Sequence, residues 1–354
     1  MRCRCCSRPL QRAITDFGAD LSFGQVNAKL QEHYGITVPE STITQITYHH
    51  AAALTGNDLL PHQPPGVIPL TLIAEVDGSM IPIARFPETP ATETTETTKA
   101  MKEGKTAESP MAASPKAESP ERQNVPSDKR KRIDRRKLRV ALWKEARLSL
   151  VRRPEAVEPA FAVTLGDAET TGKALKQLAL AVGLTKHTHV HGLGDGAPWI
   201  AEQFERQFGT KHHYLIDFYH LCDYLAAAAT VCAPAERDSW LARQKERCKS
   251  GQIHEVMEAL KPYLHVKTSE DKQPAQAAYL YIKNRPGQFN YPDAIAKELP
   301  IGSGEVESAH RYVIQKRLKL PGAWWREDHA QNLLKLRTMR ANHRWDDYWN
   351  KKAA

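Results

Sequence analysis

The sequence lacks the features of a secreted or membrane-bound protein. Its six cysteines do not follow the regular spacing of a disulfide framework, so a reducing compartment is expected. The first residues, Met1–Cys6, contain no apolar stretch of the kind that signal peptides carry. No apolar run reaches membrane-spanning length. We therefore expect a cytoplasmic protein that does not bind membranes.

Positive charge is in excess: the 354 residues carry a formal net charge of +9. This excess favours a polyanionic partner such as nucleic acid, although it says nothing about the fold. A length of 354 residues is enough for a full core and two or three units, and an apolar content of 41% is ordinary for a soluble globular protein.

Cys3, Cys5 and Cys6 crowd an N-terminal segment, residues 1–21, that we interpret as a tail. A zinc ribbon normally needs two cysteine pairs, usually spaced C-x-x-C, and this segment has neither. The cysteines are therefore either free thiols of a tail or part of a zinc module.

Residues 22–60 carry the pattern of two helices joined by a short glycine turn. Ser22 is a suitable cap for a helix over Phe23–Tyr34, Gly35 begins the turn, and a second helix starts at Glu40. This order is typical of a helix-turn-helix, and an ordinary helical hairpin would look the same. If the unit binds DNA, the polar residues facing it are Ser41, Thr42, Thr44 and Gln45.

The apolar stretch 70–84 predicts a buried strand, a turn at Gly78 and a second strand that returns as a hairpin. Asp77 then stands at the end of a core strand, where a carboxylate needs a hydrogen bond, a charged partner or a metal. A turn-capping aspartate is the alternative.

Residues 87–128 are a low-complexity segment rich in Thr, Glu, Ala, Ser and Pro, and we expect them to be disordered. A basic run over residues 129–137 follows. It either contacts phosphates or is the solvated end of the linker.

Two further acids follow predicted strands. Asp195 comes after a strand ending at Gly194 and before a helix beginning at Pro198, the edge where α/β sheets place their sites, although Asp-Gly also makes a good turn. Asp217 and His220 are three residues apart and share a helical face, either as a pair near a metal or as a helix cap beside a buried histidine.

The last third of the chain is predicted to be helical. Residues 221–297 should contain no catalytic groups. A Gly-Ser-Gly turn at residues 302–304 opens a long helix with Glu307 in its first turn, where an acid also suits the helix dipole. A final helix over residues 326–343 carries basic side chains suited to phosphate contact, among them Arg337 and Arg340.

Taken in order, four motifs resemble DDE-type bacterial insertion-sequence transposases of the ISKra-type family. They are Glu75-Val76-Asp77-Gly78, residues 194–200, Asp217-Phe218-Tyr219-His220 and residues 302–308. The segment from Lys316 to Trp325 is also similar to that family. The chain departs from it in the low-complexity segment and in the absence of the complete N-terminal zinc module that the family carries.

The resemblance implies an α/β fold: a ribonuclease H-like mixed sheet flanked by helices, formed by residues 66–86, 129–220 and 298–354, with an α-helical insertion at 221–297. It maps the catalytic triad onto Asp77, Asp195 and Glu307, with Asp217 and His220 supporting it. Glu305 falls at a variable position.

In the arrangement that the resemblance implies, three such carboxylates would hold two Mg²⁺ or Mn²⁺ ions, Asp77 contacting both and Asp195 and Glu307 one each. The implied reaction is hydrolysis and strand transfer at insertion-sequence ends. The implied partners are double-stranded DNA, both terminal inverted repeats and target, and further copies of the chain. DNA contacts are expected from Lys316, Arg317, Lys319 and Trp324. An inactive or domesticated DNA-binding protein and a structure-specific nuclease on the same core are the alternatives.

Overall fold

The computed structural model describes residues 6–63, 66, 68–86 and 139–351. The chain divides into a unit of Met1–Ala84 with Ala141–Ala354 and a second unit, Arg85–Val140. Of the second unit only residues 85, 86, 139 and 140 are described. The predictions for Cys3 and Cys5, for the low-complexity segment and for the basic run therefore fall outside the described residues.

A five-stranded mixed sheet forms the centre of the first unit, in the order β3-β2-β1-β4-β5. Its strands are β1 (Thr71–Arg85), β2 (Val140–Arg152), β3 (Ala160–Thr164), β4 (His189–Gly194) and β5 (His212–Ile216). Strand β4 is parallel to β1 and to β5, while β3 is antiparallel to β2. With helices against it, this sheet is consistent with the ribonuclease H-like fold that the resemblance implies.

The predicted hairpin at Gly78 is wrong, because β1 is a single strand of 15 residues. Gly78 lies inside the strand, where a Cβ atom would collide with the side chain of Glu145 on β2. The glycine therefore provides room for a neighbouring side chain instead of a turn. Beyond it the strand continues with the buried side chains of Ile81 and Ile83.

Helices pack on the sheet in two apolar cores. The larger core includes β4, β5 and seven helices, several of them within the predicted helical region 221–297. They are α5 (Ala168–Val182), α6 (Pro198–Phe208), α7 (Phe218–Cys232), α8 (Arg237–Lys249), α9 (Ile253–Leu260), α10 (Pro274–Lys283) and α11 (Tyr291–Ala296). The second core joins β1–β3 to α12 (Gly304–Ala309), a π-helical turn (His310–Gln315), α13 (Lys316–Leu318) and α14 (Glu327–Ala341). The long helix predicted after Gly304 is thus present with a π-helical turn inside it.

The N-terminal region is helical from Arg8 onward. It consists of α1 (Arg8–Asp20), α2 (Phe23–Tyr34), α3 (Glu40–Ala52) and the short α4 (Gly56–Leu59). The two predicted helices are confirmed, including a capping box at Ser22, but the segment 1–21 is not merely a tail because α1 packs on α3. The chain ends in α15 (Trp345–Lys351). None of the helices among the described residues is both long and apolar enough to cross a membrane.

Candidate metal and DNA site

The register of the parallel strands, continued past the last paired residues, aligns three aspartates. Thr71 of β1 pairs with His189 of β4, and the last pair of this ladder is Glu75 with Leu193. Continuing the register by two residues sets Asp77 beside Asp195, on strands that lie about 4.8 Å apart. The β4–β5 ladder ends at Gly194 and Ile216, so one further step sets Asp195 beside Asp217. The register therefore aligns the three acids, with Asp195 and Asp217 directly after β4 and β5 but Asp77 inside β1 and not at the strand end that the sequence predicted.

Asp77 faces the helical segment that carries Glu307. Its Oδ1 accepts a hydrogen bond from the backbone N–H of Gly78 at 2.7 Å, and its Oδ2 lies 3.2 Å from Nε2 of His310. Its side chain stays partly exposed, while that of His310 is buried. Asp77 is therefore part of a strand and not the cap of a turn.

Glu75 points to the same side of β1 as Asp77, because side chains two residues apart on a strand share a face. It is fully buried, and its Oε2 accepts the backbone N–H of Val306 at 2.8 Å. Burial raises the pKa of Glu75 to about 8, and the hydrogen bond from Val306 only partly opposes this. Glu75 thus holds α12 against β1 as a buried carboxyl group.

Asp195 lies on a short loop that the helical region holds in place. Its Oδ1 accepts the N–H of Ala197 at 2.8 Å. The hydroxyl of Tyr281 donates to the carbonyl of Asp195 at 2.7 Å, and Nε of Arg285 donates to the carbonyl of Gly196 at 2.7 Å. The prediction that residues 221–297 contain no catalytic groups remains untested, but this region does position the loop of a candidate ligand.

Asp217 behaves as a helix cap. Its Oδ1 accepts the N–H groups of Tyr219 and His220, and its Oδ2 accepts the N–H and the hydroxyl of Ser303 at 2.5 and 2.6 Å. Burial alone would raise the pKa of Asp217, but the hydrogen bonds from His220 and Ser303 outweigh it and hold the pKa well below its ordinary value. A buried carboxylate with four donors is a structural anchor, which agrees with the helix-cap interpretation.

Glu307 is exposed in the first turn of α12, next to Asp217 and His220. One potential ligand atom from each of these three residues lies within 4.8 Å of the other two. The carboxylate of Asp217 is the main cause that raises the pKa of His220 to about 9, with smaller contributions from Asp195 and Glu307. A protonated imidazole suits a phosphate better than a metal ion, since metals bind the neutral ring. No described contact joins Glu307 directly to Asp77 or Asp195.

The competing acid Glu305 is paired elsewhere. Both of its oxygens accept hydrogen bonds from Arg152, each at 2.7 Å. This bidentate pair joins α12 to the end of β2 and directs Glu305 away from Asp217 and His220.

Several basic residues predicted to contact DNA are used inside the protein. Arg317 is 1% exposed, donates from Nε to the carbonyl of Gly18, and lies over the rings of Phe23 and Trp325. This burial does not agree with the prediction that Arg317 contacts DNA. Arg337 and Arg340 are bound to the acids of α1, so they are not part of a phosphate-binding face either.

The other predicted DNA contacts remain on the surface to different degrees. Lys316, Lys319, Ser41 and Gln45 are exposed, whereas Thr42, Thr44 and Trp324 are half-buried. Trp324 lies with its ring 6.1 Å from that of the exposed Trp143. No contact in the structure tests whether these side chains bind DNA.

Comparison with known proteins gives little beyond this geometry. No family model and no curated protein matches the chain. Among solved structures it is similar to the Drosophila P element transposase strand transfer complex, at 10% identity and a TM-score of 0.32, over 98% of this chain and 80% of that one. A likeness of this size carries no functional weight.

Two residues of the site were missed by the sequence interpretation, Glu75 and His310. Each had a signal: Glu75 is an acid inside an apolar strand, two residues before Asp77, and His310 follows Glu307 by one helical turn. Both spacings place the extra residue on the same face as a predicted ligand.

Proposed function

We propose that this protein is a DDE-type DNA transposase that cleaves and joins phosphodiester bonds with divalent metal ions. The proposal rests on the β1–β4 register, which, continued by two residues beyond its last pair, aligns Asp77 with Asp195. The resemblance of the motifs to ISKra-type transposases, with Glu307 on the helix packed over β1, supports the same function. The net charge of +9 suits a DNA substrate.

The donor set fits Mg²⁺ or Mn²⁺. Such ions prefer oxygen ligands and retain water, and Asp77, Asp195 and Glu307 offer carboxylates that are at least partly exposed. When bound, a pair of ions activates a water molecule or a DNA 3′ hydroxyl and stabilises the leaving oxygen. In this proposal Asp77, Asp195 and Glu307 hold the ions.

The remaining residues have separate roles. Asp217 fixes the start of α7 and the 301–303 segment through its four hydrogen bonds, and so keeps Glu307 close. His220, which carries a raised pKa beside Asp217, contacts a phosphate of the substrate. Lys316 and Lys319 are exposed after the π-helical turn and contact the DNA backbone. The protein acts as a homo-oligomer on terminal inverted repeats and on target DNA.

The test is cleavage and strand transfer by the full chain, using the DNA that flanks its gene and added Mg²⁺. Asp77→Asn, Asp195→Asn and Glu307→Gln should each remove activity while leaving the melting temperature unchanged. Loss of a group that stabilises transition-state charge by several kcal/mol lowers the rate by roughly a thousandfold or more.

Glu305→Gln is the matched control, because it lies two residues from Glu307 and pairs with Arg152. It should cleave at close to the wild-type rate. Cleavage near the wild-type rate in any of the three carboxylate variants would remove that residue from the site. Cleavage of branched DNA without end joining would favour a structure-specific nuclease.

A further inference from the structure

A buried histidine lies against the candidate metal ligand Asp77. His310 is 2% exposed, and within the described residues neither of its ring nitrogens makes a hydrogen bond. Buried polar side chains normally have such a partner. Its Nε2 lies 3.2 Å from Oδ2 of Asp77, which is within hydrogen-bonding distance. The ring is therefore positioned against one oxygen of a candidate metal ligand.

The backbone around His310 is also unusual. The π-helical turn begins at this residue, immediately after α12. Such turns are rare and occur frequently at functional sites. Nε of Arg337 donates to the carbonyl of Val313 at 2.7 Å, and its other nitrogens donate to the carbonyls of Tyr312 and Ala19. Two carbonyls of the π-helical turn are therefore satisfied by a side chain of α14.

A second contact keeps the same helix in register with β1. Glu75 accepts the N–H of Val306, and Asp77, two residues further along β1, lies against His310, four residues further along the helix. One helical turn advances about as far as two residues of a strand. The two contacts therefore fix both the position and the direction of the helix along β1.

We propose that His310 is a positioning residue, which donates a hydrogen bond from Nε2 to Asp77 when that carboxylate binds a divalent cation, and so orients it. This inference rests on the proposed function. Carboxylates that bind metals are commonly held by such hydrogen bonds, and replacing the donor typically weakens metal binding by about 10–100-fold. His310 does not touch the ion in this arrangement.

The test measures Mn²⁺ binding directly, from the electron paramagnetic resonance signal of free Mn²⁺ added to the full chain. His310→Gln and His310→Asn form the matched pair, because the amide nitrogen of glutamine reaches the place of Nε2 and that of asparagine does not. We expect His310→Gln to keep near wild-type affinity and His310→Asn to bind roughly 10–100-fold more weakly. Thermal melting verifies that both variants are folded.

Asp77→Asn distinguishes a failure of the role of His310 from a failure of the proposed function. If it weakens Mn²⁺ binding while His310→Asn binds as the wild type does, the role of His310 is wrong and the proposed function stands. Equally weakened Mn²⁺ binding in both His310 variants would also overturn that role. If the wild type binds no Mn²⁺, or Asp77→Asn has no effect, the proposed function fails and this inference with it. Should His310→Asn not melt cooperatively, His310→Leu replaces it.

Discussion

At the scale of single residues, the three aspartates that the strand register aligns have different surroundings. Asp217 accepts four hydrogen bonds, two of them from Ser303. Asp77 and Asp195 each accept one backbone N–H in the structure as described. The sequence places all three acids at strand ends but cannot tell them apart, because Ser303 lies 86 residues after Asp217.

Glu75 provides a test at this scale. Glu75→Ala removes the acceptor for Val306 and leaves a cavity, so we expect a loss of roughly 2–4 kcal/mol in the free energy of unfolding. Glu75→Gln keeps the size and an acceptor oxygen and should be close to the wild type. Urea unfolding measures both.

Glu305→Ala is the control for Glu75, since it also removes a carboxylate that holds α12. An ion pair with an exposed partner contributes at most about 1 kcal/mol, so Glu305→Ala should lower the free energy of unfolding by less than Glu75→Ala does. The role of Glu75 is wrong if Glu75→Ala is no more destabilising than Glu305→Ala. The sequence could not predict this role, because Glu75 and Val306 are 231 residues apart.

At the scale of secondary structure, the elements with local signals were predicted well. Helix α2 begins after Ser22, which forms a capping box with Gln25, and ends at Gly35 in a left-handed conformation. Strand β1 was mispredicted because Asp77-Gly78 is a common turn pair. Its course is decided by tertiary packing, since Ile81 and Ile83 belong to the core shared with α12–α14.

The loop of Asp195 and helix α10 give a prediction for this scale. Tyr281 is buried, stacks on Tyr224, and donates its hydroxyl proton to the carbonyl of Asp195. Tyr281→Phe removes that hydrogen bond alone, which is worth about 1 kcal/mol. We expect the rate of Mg²⁺-dependent cleavage to fall by roughly three- to tenfold as Asp195 loses its support.

Tyr279→Phe is the matched control for this prediction, because Tyr279 lies half-buried on the same helix and away from the loop. It should leave the cleavage rate unchanged. If both tyrosine variants cleave at the same rate, α10 does not position Asp195. A melting temperature that falls strongly in Tyr281→Phe would point to a general packing role instead.

At the scale of the whole unit, ion pairs join helix α1 to helix α14. Arg337 and Arg340 of α14 bind Asp16 and Asp20 of α1, with Nη1 of Arg340 at 2.5 Å from Oδ2 of Asp20. On sequence alone these arginines suggested phosphate contact, because their partners lie more than 300 residues earlier. A basic helix therefore cannot be assigned to DNA from its composition when distant acids neutralise it.

Arg337 tests this connection. Arg337→Met keeps a long apolar stem but leaves Asp20 and the carbonyls of Val313, Tyr312 and Ala19 without the guanidinium. Asp20 keeps Arg340 as a partner, so the loss is mainly that of the hydrogen bonds to the backbone carbonyls, about 1–3 kcal/mol in the free energy of unfolding. Lys335→Gln, a half-buried cation on the same helix, should change that free energy by less than about 0.5 kcal/mol. Equal urea midpoints for the two variants would show that α1 is not held by this pair. If the free energy of unfolding falls only in Arg337→Met, the N-terminal helices and the segment bearing Glu307 and His310 are stabilised through one side chain.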